Sequence, residues 1–218
     1  MTFSTLLTRS WLLAFEDIVP PTVGTMDYQK ILTIANTYID QWQDEPGVNW
    51  DSLYIRQQLT PTVTATDTFA LHANIRKISQ RDGDYVVITR SGGTKDYYTV
   101  VPPDQLQEHS DSNACAQIGT NLVFASAFAD ADPQANGTIK VPGYSAATAM
   151  TGDSSTVPVD NPEWLIYMTA AELIKDDESK KTRLEYLQNL ADKTMMRMKI
   201  ENRAQVETKT QKARKEMS

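Results

Sequence analysis

The sequence predicts an α+β fold that is mainly an α-helical bundle, formed by N-terminal and C-terminal helices, with a small β domain inserted between them. Apolar residues recur at spacings of three and four near both ends of the chain, which is typical of amphipathic helices. Short β-branched and aromatic runs between turn residues favour strands in the middle. The predicted parts are N-terminal helices at 1–58, a β domain at 59–144, a linker at 145–160 and C-terminal helices with a basic tail at 161–218.

Two helices are predicted in the N-terminal part. The first runs from Phe3 to Ile18 because its apolar residues fall on one face, and Pro20 and Pro21 end it. Thr25 can cap the second helix, whose apolar stripe extends over 28–42. Both helices therefore need a partner for a broad apolar side.

The middle of the chain has the pattern of short strands. Residues 85–89 and 97–101 are rich in β-branched and aromatic side chains, and Ser91-Gly92-Gly93 between them predicts a hairpin turn. Further strands are predicted at 122–124 and 138–141. The linker that follows is rich in small and polar residues, so we expect a loop that stays mobile until a partner orders it.

The third helix begins with a strong start signal and is apolar around its whole circumference. Asn161 is a good N-cap, Pro162 suits the first helical position and Glu163 suits the first turn. The helix is too short to cross a bilayer, so we expect this chain and neighbouring copies to cover it. An amphipathic helix follows an acidic turn at 176–179. The predicted core of this assembly module is Trp164, Leu165, Tyr167, Ile174, Leu184, Leu187 and Met195.

Charge is unevenly distributed along the chain. Residues 192–218 hold eight Lys or Arg and four Asp or Glu, while the preceding 191 residues hold 13 basic and 24 acidic side chains. This acidic body disfavours a surface that grips DNA but suits the wall of a DNA channel. The tail is predicted to be an extended or helical arm that binds an acidic partner or nucleic acid, although it lacks aromatic residues for stacking on single strands. Its predicted partner-binding residues are Lys199, Arg203, Lys209, Lys212, Arg214 and Lys215.

The residues available for chemistry predict no enzyme, cofactor or metal site. His72 and His109 have no Cys, Asp or Glu at a metal-ligand spacing, and Cys115, the only cysteine, has no basic neighbour to activate it. Residues 91–94 lack the lysine and helix of a phosphate loop. A calcium site is disfavoured because no bidentate Glu follows the candidate carboxylates. Those carboxylates are Asp82, Asp84, Asp130 and Asp132.

The N-terminus is a poor match to a signal peptide, because Arg9 interrupts its apolar stretch and a double proline follows. No apolar run approaches the length of a membrane span.

The order of these parts resembles the head–tail connector adaptor family of tailed bacteriophages, which includes the tail accessory factors and tail tubular A-type proteins. The matching residues are Leu6-Leu7, Asn36 with Trp42, Thr138 to Val141, and the run from Asn161 to Tyr167. The chain departs from the family at 69–74, where relatives carry a strand-ending leucine–proline–aspartate.

The resemblance implies a structural virion protein of the neck or tail, made in the host cytoplasm. It would form a dodecameric ring of identical copies beneath the portal protein, extend the channel for double-stranded DNA and present a platform for downstream tail or nozzle proteins. The alternatives are a stopper or tail-tube completion protein, or a DNA-binding protein acting through its basic tail. An enzyme with a site in the β part is disfavoured because no nucleophile–base pair can be assembled.

Overall fold

The computed structural model describes residues 1–59, 67–90, 92–109, 113–126 and 137–216, with side chains described as far as Ala204. The chain forms two compact units. Residues 1–52 and 147–207 form a helical unit, whereas residues 53–146, grouped with 208–218, form a β unit. The fold is α+β, as predicted, but the prediction of a mainly helical bundle was wrong, because an eight-stranded sheet dominates the second unit.

Four α-helices and eight strands are described. The helices are α1 (Phe3–Phe15), α2 (Met26–Gln43), α3 (Pro162–Ile174) and α4 (Lys181–Glu216). The strands are β1 (Tyr54–Leu59), β2 (Thr68–Ala70), β3 (Lys77–Ile78), β4 (Tyr85–Thr89), β5 (Lys95–Val100), β6 (Ala114–Ile118), β7 (Asn121–Phe124) and β8 (Thr138–Tyr144). Short 3₁₀ helices lie at Asp51–Leu53, Pro103–His109 and Glu178–Lys180. None of the described helices is both long and apolar enough to cross a membrane.

Helix α1 ends three residues earlier than predicted. Glu16 adopts a left-handed conformation with φ 59°, and its N–H bonds to the carbonyl of Leu12, which closes the helix. Ile18 therefore lies beyond the helix and is 78% exposed. The predicted cap of α2 is confirmed, since the Thr25 hydroxyl accepts a hydrogen bond from the N–H of Tyr28 at 3.3 Å.

Helix α3 lies between α1 and α2 in the helical unit. The Asn161 side chain accepts a hydrogen bond from the N–H of Glu163 at 3.1 Å, and Pro162 occupies the first turn, so the predicted start of the helix is confirmed. Leu165 and Ile166 are fully buried. The apolar circumference of α3 is thus covered largely by helices of the same chain.

The segment 147–160 is irregular, and hydrogen bonds join it to α1 and α2. Its predicted mobility stays a prediction. The Asn36 side chain forms two hydrogen bonds with the backbone of Met150, at 2.9 and 2.8 Å. The first residues of α1 donate backbone hydrogen bonds to the carbonyls of Asp153 and Ser155. Because these contacts join residues more than 100 positions apart, the local composition did not reveal them.

The β unit is a single mixed sheet with the order β1-β8-β4-β5-β6-β7-β2, and β3 also pairs with β8. The predicted hairpin is confirmed as β4 and β5, paired antiparallel with Val87 opposite Tyr97. Strand β1 pairs with β8 over six residues, so the predicted domain boundary at 58/59 falls inside a strand. One face of the sheet carries the core, which includes Val86, Ile88, Leu122, Phe124 and Ile139.

Gly143 is required where β3 approaches β8. A Cβ atom at this position would lie 2.7 Å from the backbone oxygen of Lys77 and 3.0 Å from the Ile75 side chain. The first distance is too short for a carbon–oxygen contact. Only glycine therefore allows Ile78 to pair with β8 at this point.

Candidate interaction surfaces

The predicted assembly core divides into buried and partly buried side chains. Trp164, Leu165, Ile174 and Leu187 are buried. Tyr167, Leu184 and Met195 are partly buried. Tyr167 and Leu184 pack against a cluster formed by α1, α3 and the start of α4, around Ala14 and Ala170. The structure brings most of these residues together within one chain, and the predicted cover from neighbouring copies stays a prediction.

Helix α4 is attached to the helical unit along one stripe and by polar contacts at both ends of that stripe. Leu187, Ala191 and Met198 are buried. Arg183 forms an ion pair with Glu16 near the start of the helix. These contacts hold the first half of α4 against the rest of the unit.

Asn202 attaches α4 to the segment that follows α2. Its side-chain oxygen accepts a hydrogen bond from the N–H of Asp51 at 2.7 Å, and its amide group donates to the carbonyl of Asn49 at 3.1 Å. Lys199, one turn earlier, forms an ion pair with Glu45. Lys199, one of the predicted partner-binding residues, is therefore paired within its own chain.

The other predicted partner-binding residues lie beyond this attachment. Arg203 is exposed. The backbone of α4 remains helical to Glu216, which makes the arm helical. The side chains of Lys209, Lys212, Arg214 and Lys215 lie outside the described residues.

A second apolar strip runs along α4, and the sequence analysis missed it. Tyr186, Met196 and Ile200 are 62%, 62% and 68% exposed. At 100° per residue they fall within an arc of about 80°, on the side of the helix away from Leu187. The sequence analysis assigned the apolar residues of α4 to one buried stripe. The exposed strip is recognisable only when the buried residues of the helix are known.

A third surface lies at the connection between α1 and α2. Ile18, Val19, Val23 and Met26 are all strongly exposed, with Met26 at 90%. Beside them is an open cleft of about 550 Å³, lined in part by Leu7, Pro20, Pro21, Val23 and Tyr28. The Tyr28 hydroxyl at its edge donates a hydrogen bond to Asp153 at 2.9 Å. The cleft is mostly apolar and presents few groups for chemistry.

The candidate residues for metal binding and catalysis, His72 and Cys115, lie in a turn and in the core. His72 Nδ1 accepts a hydrogen bond from the N–H of Asn74 at 3.1 Å within a local turn. Cys115 is fully buried, and this burial raises the pKa of its thiol to about 12. Because the thiolate is the nucleophilic form, Cys115 is poorly suited to catalysis. Within the described ranges, no group of three or more His, Cys, Asp or Glu could hold a metal ion.

Asp84 belongs to a hydrogen-bonded network in the β unit. Its carboxylate accepts hydrogen bonds from the Tyr54 hydroxyl at 2.8 Å and from the Ser79 hydroxyl at 2.6 Å. Desolvation by burial raises the pKa of Tyr54 to about 12, so its hydroxyl keeps the proton that it donates. Of the other calcium candidates, Asp130 and Asp132 lie outside the described residues.

Comparison with known proteins adds no relative. No protein-family model matches this chain, and no curated protein matches it either. The resemblance to the connector adaptors therefore depends on the residues and the order of parts set out above.

Proposed function

We propose that this protein is a structural protein of a tailed-bacteriophage virion, a head-to-tail adaptor that forms a dodecameric ring on the portal protein. In this role it extends the channel for double-stranded DNA and carries the downstream tail components. The observation that carries the proposal is helix α4. Its first part is buried against the helical unit at Leu187, Ala191 and Met198, and its backbone continues as a helix to Glu216.

The arrangement of the two units supports the same proposal. The helical unit is built from both ends of the chain, and the β unit is an insertion between them. This is the order of parts in the family that the sequence resembles. In addition, the four basic residues at 209, 212, 214 and 215 give the end of α4 a charge opposite to that of the acidic body. Such an arm suits electrostatic docking on an acidic partner.

Ring formation is tested by electron microscopy and mass photometry of the purified protein, alone and with portal rings of the same virus. We expect the protein to add to the portal as a closed ring. A protein that remains free in the presence of the portal would remove the proposal.

The role of the arm is tested by removing residues from Arg203 onward. This variant retains Asn202, so we expect a folded protein that docks poorly on the portal. The charge contribution is isolated by a matched pair of variants in α4, Lys209→Gln with Lys212→Gln, and Lys181→Gln with Lys193→Gln. Lys181 and Lys193 are exposed, so both pairs remove two positive charges from the same helix. Equal docking by the two pairs would count against the arm.

Binding of duplex DNA by the basic end of α4 is the second candidate function. The excess of Lys and Arg in 192–218 is the observation that favours it. A salt-dependent mobility shift of duplex DNA that is lost on truncation after Asn202 would support this candidate. A protein that docks on the portal without shifting DNA would exclude it.

A further inference from the structure

The outer face of the sheet carries an exposed row of side chains that the proposed function does not use. Tyr97 on β5 lies opposite Val87 on β4, Val87 lies opposite Lys140 on β8, and Lys140 lies opposite Gln58 on β1. Residues directly opposite each other in paired strands point to the same side. This row therefore crosses four strands, a width of about 14 Å at the usual strand spacing.

Neighbouring positions extend the row into a surface of aromatic and basic side chains. Lys95, in register with Thr89 and Thr138, forms the next row. Tyr85 and Arg56 lie two residues from members of the first row, so they share its side of the sheet. We define the tyrosine–lysine face as Arg56, Gln58, Tyr85, Val87, Lys95, Tyr97 and Lys140.

The two tyrosines of this face are open to solvent. Tyr97 is 52% exposed and Tyr85 is 37% exposed. Their ring centroids are 6.1 Å apart, with the rings nearly perpendicular at 86°. On the opposite side of the same strands, Val86 and Ile88 are completely buried. The exposure of the tyrosines is therefore a property of this face and not of the hairpin as a whole.

The charge of the face differs from that of the chain around it. Lys95, Lys140 and Arg56 are exposed, and the face as defined contains no carboxylate, although the chain has a net charge of −7. The carboxylate of Asp84 lies 3.5 Å from the Arg56 guanidinium. Asp84 is largely buried and already bound to Tyr54 and Ser79. The face is thus a local basic patch on an acidic protein.

The apolar part of the sheet side that carries the tyrosine–lysine face is covered by a 3₁₀ helix. Ala114 on β6 is in register with Thr99, and Ala114 and Ala116 pack beneath Leu106 of the 3₁₀ helix Pro103–His109. Among the described residues, this helix covers the part of the sheet that lacks aromatic and basic groups. The uncovered part is the one with groups that can bind a charged ligand.

We propose that the tyrosine–lysine face binds single-stranded nucleic acid, with bases stacking on its tyrosines and phosphates contacting its cations. Exposed rings beside basic side chains are the combination by which proteins bind single strands without sequence preference. A duplex would leave the rings unused because its bases are already stacked. Lysine is depleted at the centres of protein–protein interfaces, which disfavours an acidic protein as the occupant. This inference goes beyond the proposed function.

The test measures fluorescence anisotropy of a labelled oligothymidylate with the full-length protein over a range of salt concentrations. We expect Tyr97→Ala to weaken binding roughly tenfold. We expect Lys140→Gln to reduce the slope of log affinity against log salt by about 0.7. Tyr186→Ala and Lys193→Gln, which remove an exposed tyrosine and an exposed lysine from α4, should leave both quantities unchanged.

Several results would overturn the proposal. The proposal is wrong if the unmodified protein does not bind the oligonucleotide at low salt. It is also wrong if the α4 control variants lose as much affinity as the variants of the face. Loss of binding only in the Lys209→Gln and Lys212→Gln variant would assign the binding to the arm instead. Polyglutamate that competes as well as unlabelled oligothymidylate would show a site for acidic polypeptides. Portal docking is measured separately, so failure here is distinct from failure of the adaptor proposal.

Discussion

Helices α3 and α4 belong to the same unit but use their apolar residues differently. Helix α3 lies between α1 and α2 and buries residues on most of its circumference. Helix α4 buries one stripe, exposes a second apolar strip and continues as a helix to Glu216. Apolar content alone therefore does not identify an assembly surface. The more apolar helix is covered by its own chain, and the less apolar one is left with exposed apolar groups.

The largest effect is expected at Trp164 in α3. This side chain is 5% exposed, and its ring packs edge-to-face on Tyr38 with centroids 6.2 Å apart. Trp164→Asp removes a large apolar group and buries a carboxylate without a partner, so we expect a loss of more than about 4 kcal/mol in the free energy of unfolding. Circular dichroism during urea unfolding measures it. Met196→Asp on the exposed strip of α4 should cost less than about 0.5 kcal/mol. A similar loss in the free energy of unfolding for the two variants would contradict the difference between α3 and α4.

The buried stripe of α4 should give the next largest effect. Leu187 is 1% exposed and packs with Ala14, Ala171 and Ile174. Leu187→Ala leaves a cavity, for which we expect a loss of about 3 kcal/mol. Met196→Ala, nine residues along the same helix, is the control and should leave stability nearly unchanged. If Leu187→Ala shifted the urea midpoint no more than Met196→Ala, the first half of α4 would not be docked as described.

Substitution of Asn202 tests whether its two hydrogen bonds hold α4 to the segment 49–51. Asn202→Ala removes its hydrogen bonds to the N–H of Asp51 and to the carbonyl of Asn49, which should cost about 1–2 kcal/mol. Asn189→Ala is the control, since the Asn189 side chain bonds only to Glu185 in its own helix. Hydrogen exchange of the Asp51 amide should become faster in Asn202→Ala alone. Unchanged protection of that amide would contradict the attachment.

The smallest effect is expected at the start of α3. Asn161→Ala removes the cap on Glu163, which should cost about 1 kcal/mol. Asn161→Ser retains a capping oxygen and should recover most of the loss. Thermal unfolding measures both variants, and an equal loss in the two would show that capping is not what Asn161 contributes.

Local signals in the sequence predicted the helix starts correctly. The caps at Thr25 and Asn161 act on residues two or three positions away, so their effect is readable from a short stretch. The hairpin of β4 and β5 is another local feature, since a short turn joins its strands. The burial of Leu187 followed from helical periodicity, and that of Trp164 and Leu165 followed from the apolar circumference of α3.

Features that depend on distant residues were missed or misjudged. The predicted helical part extended to residue 58 and so included most of β1, because the partner of this strand, β8, begins only at Thr138. The anchors of the segment 147–160 were not predicted, because they are the Asn36 side chain and the start of α1. The tyrosine–lysine face was missed because its members come from four strands, none of which shows the pattern by itself.

Neighbouring residues and counted charges were enough to predict the helices, their caps, the acidic body and the basic end of α4. The three-dimensional fold was needed to show which apolar residues are covered and by what. In the fold, α3 contacts both α1 and α2, the Asn202 side chain bonds to Asp51, and aromatic and basic side chains meet on one sheet face. The physical reason is that burial and strand register are set by contacts between distant parts of the chain, which no local pattern encodes.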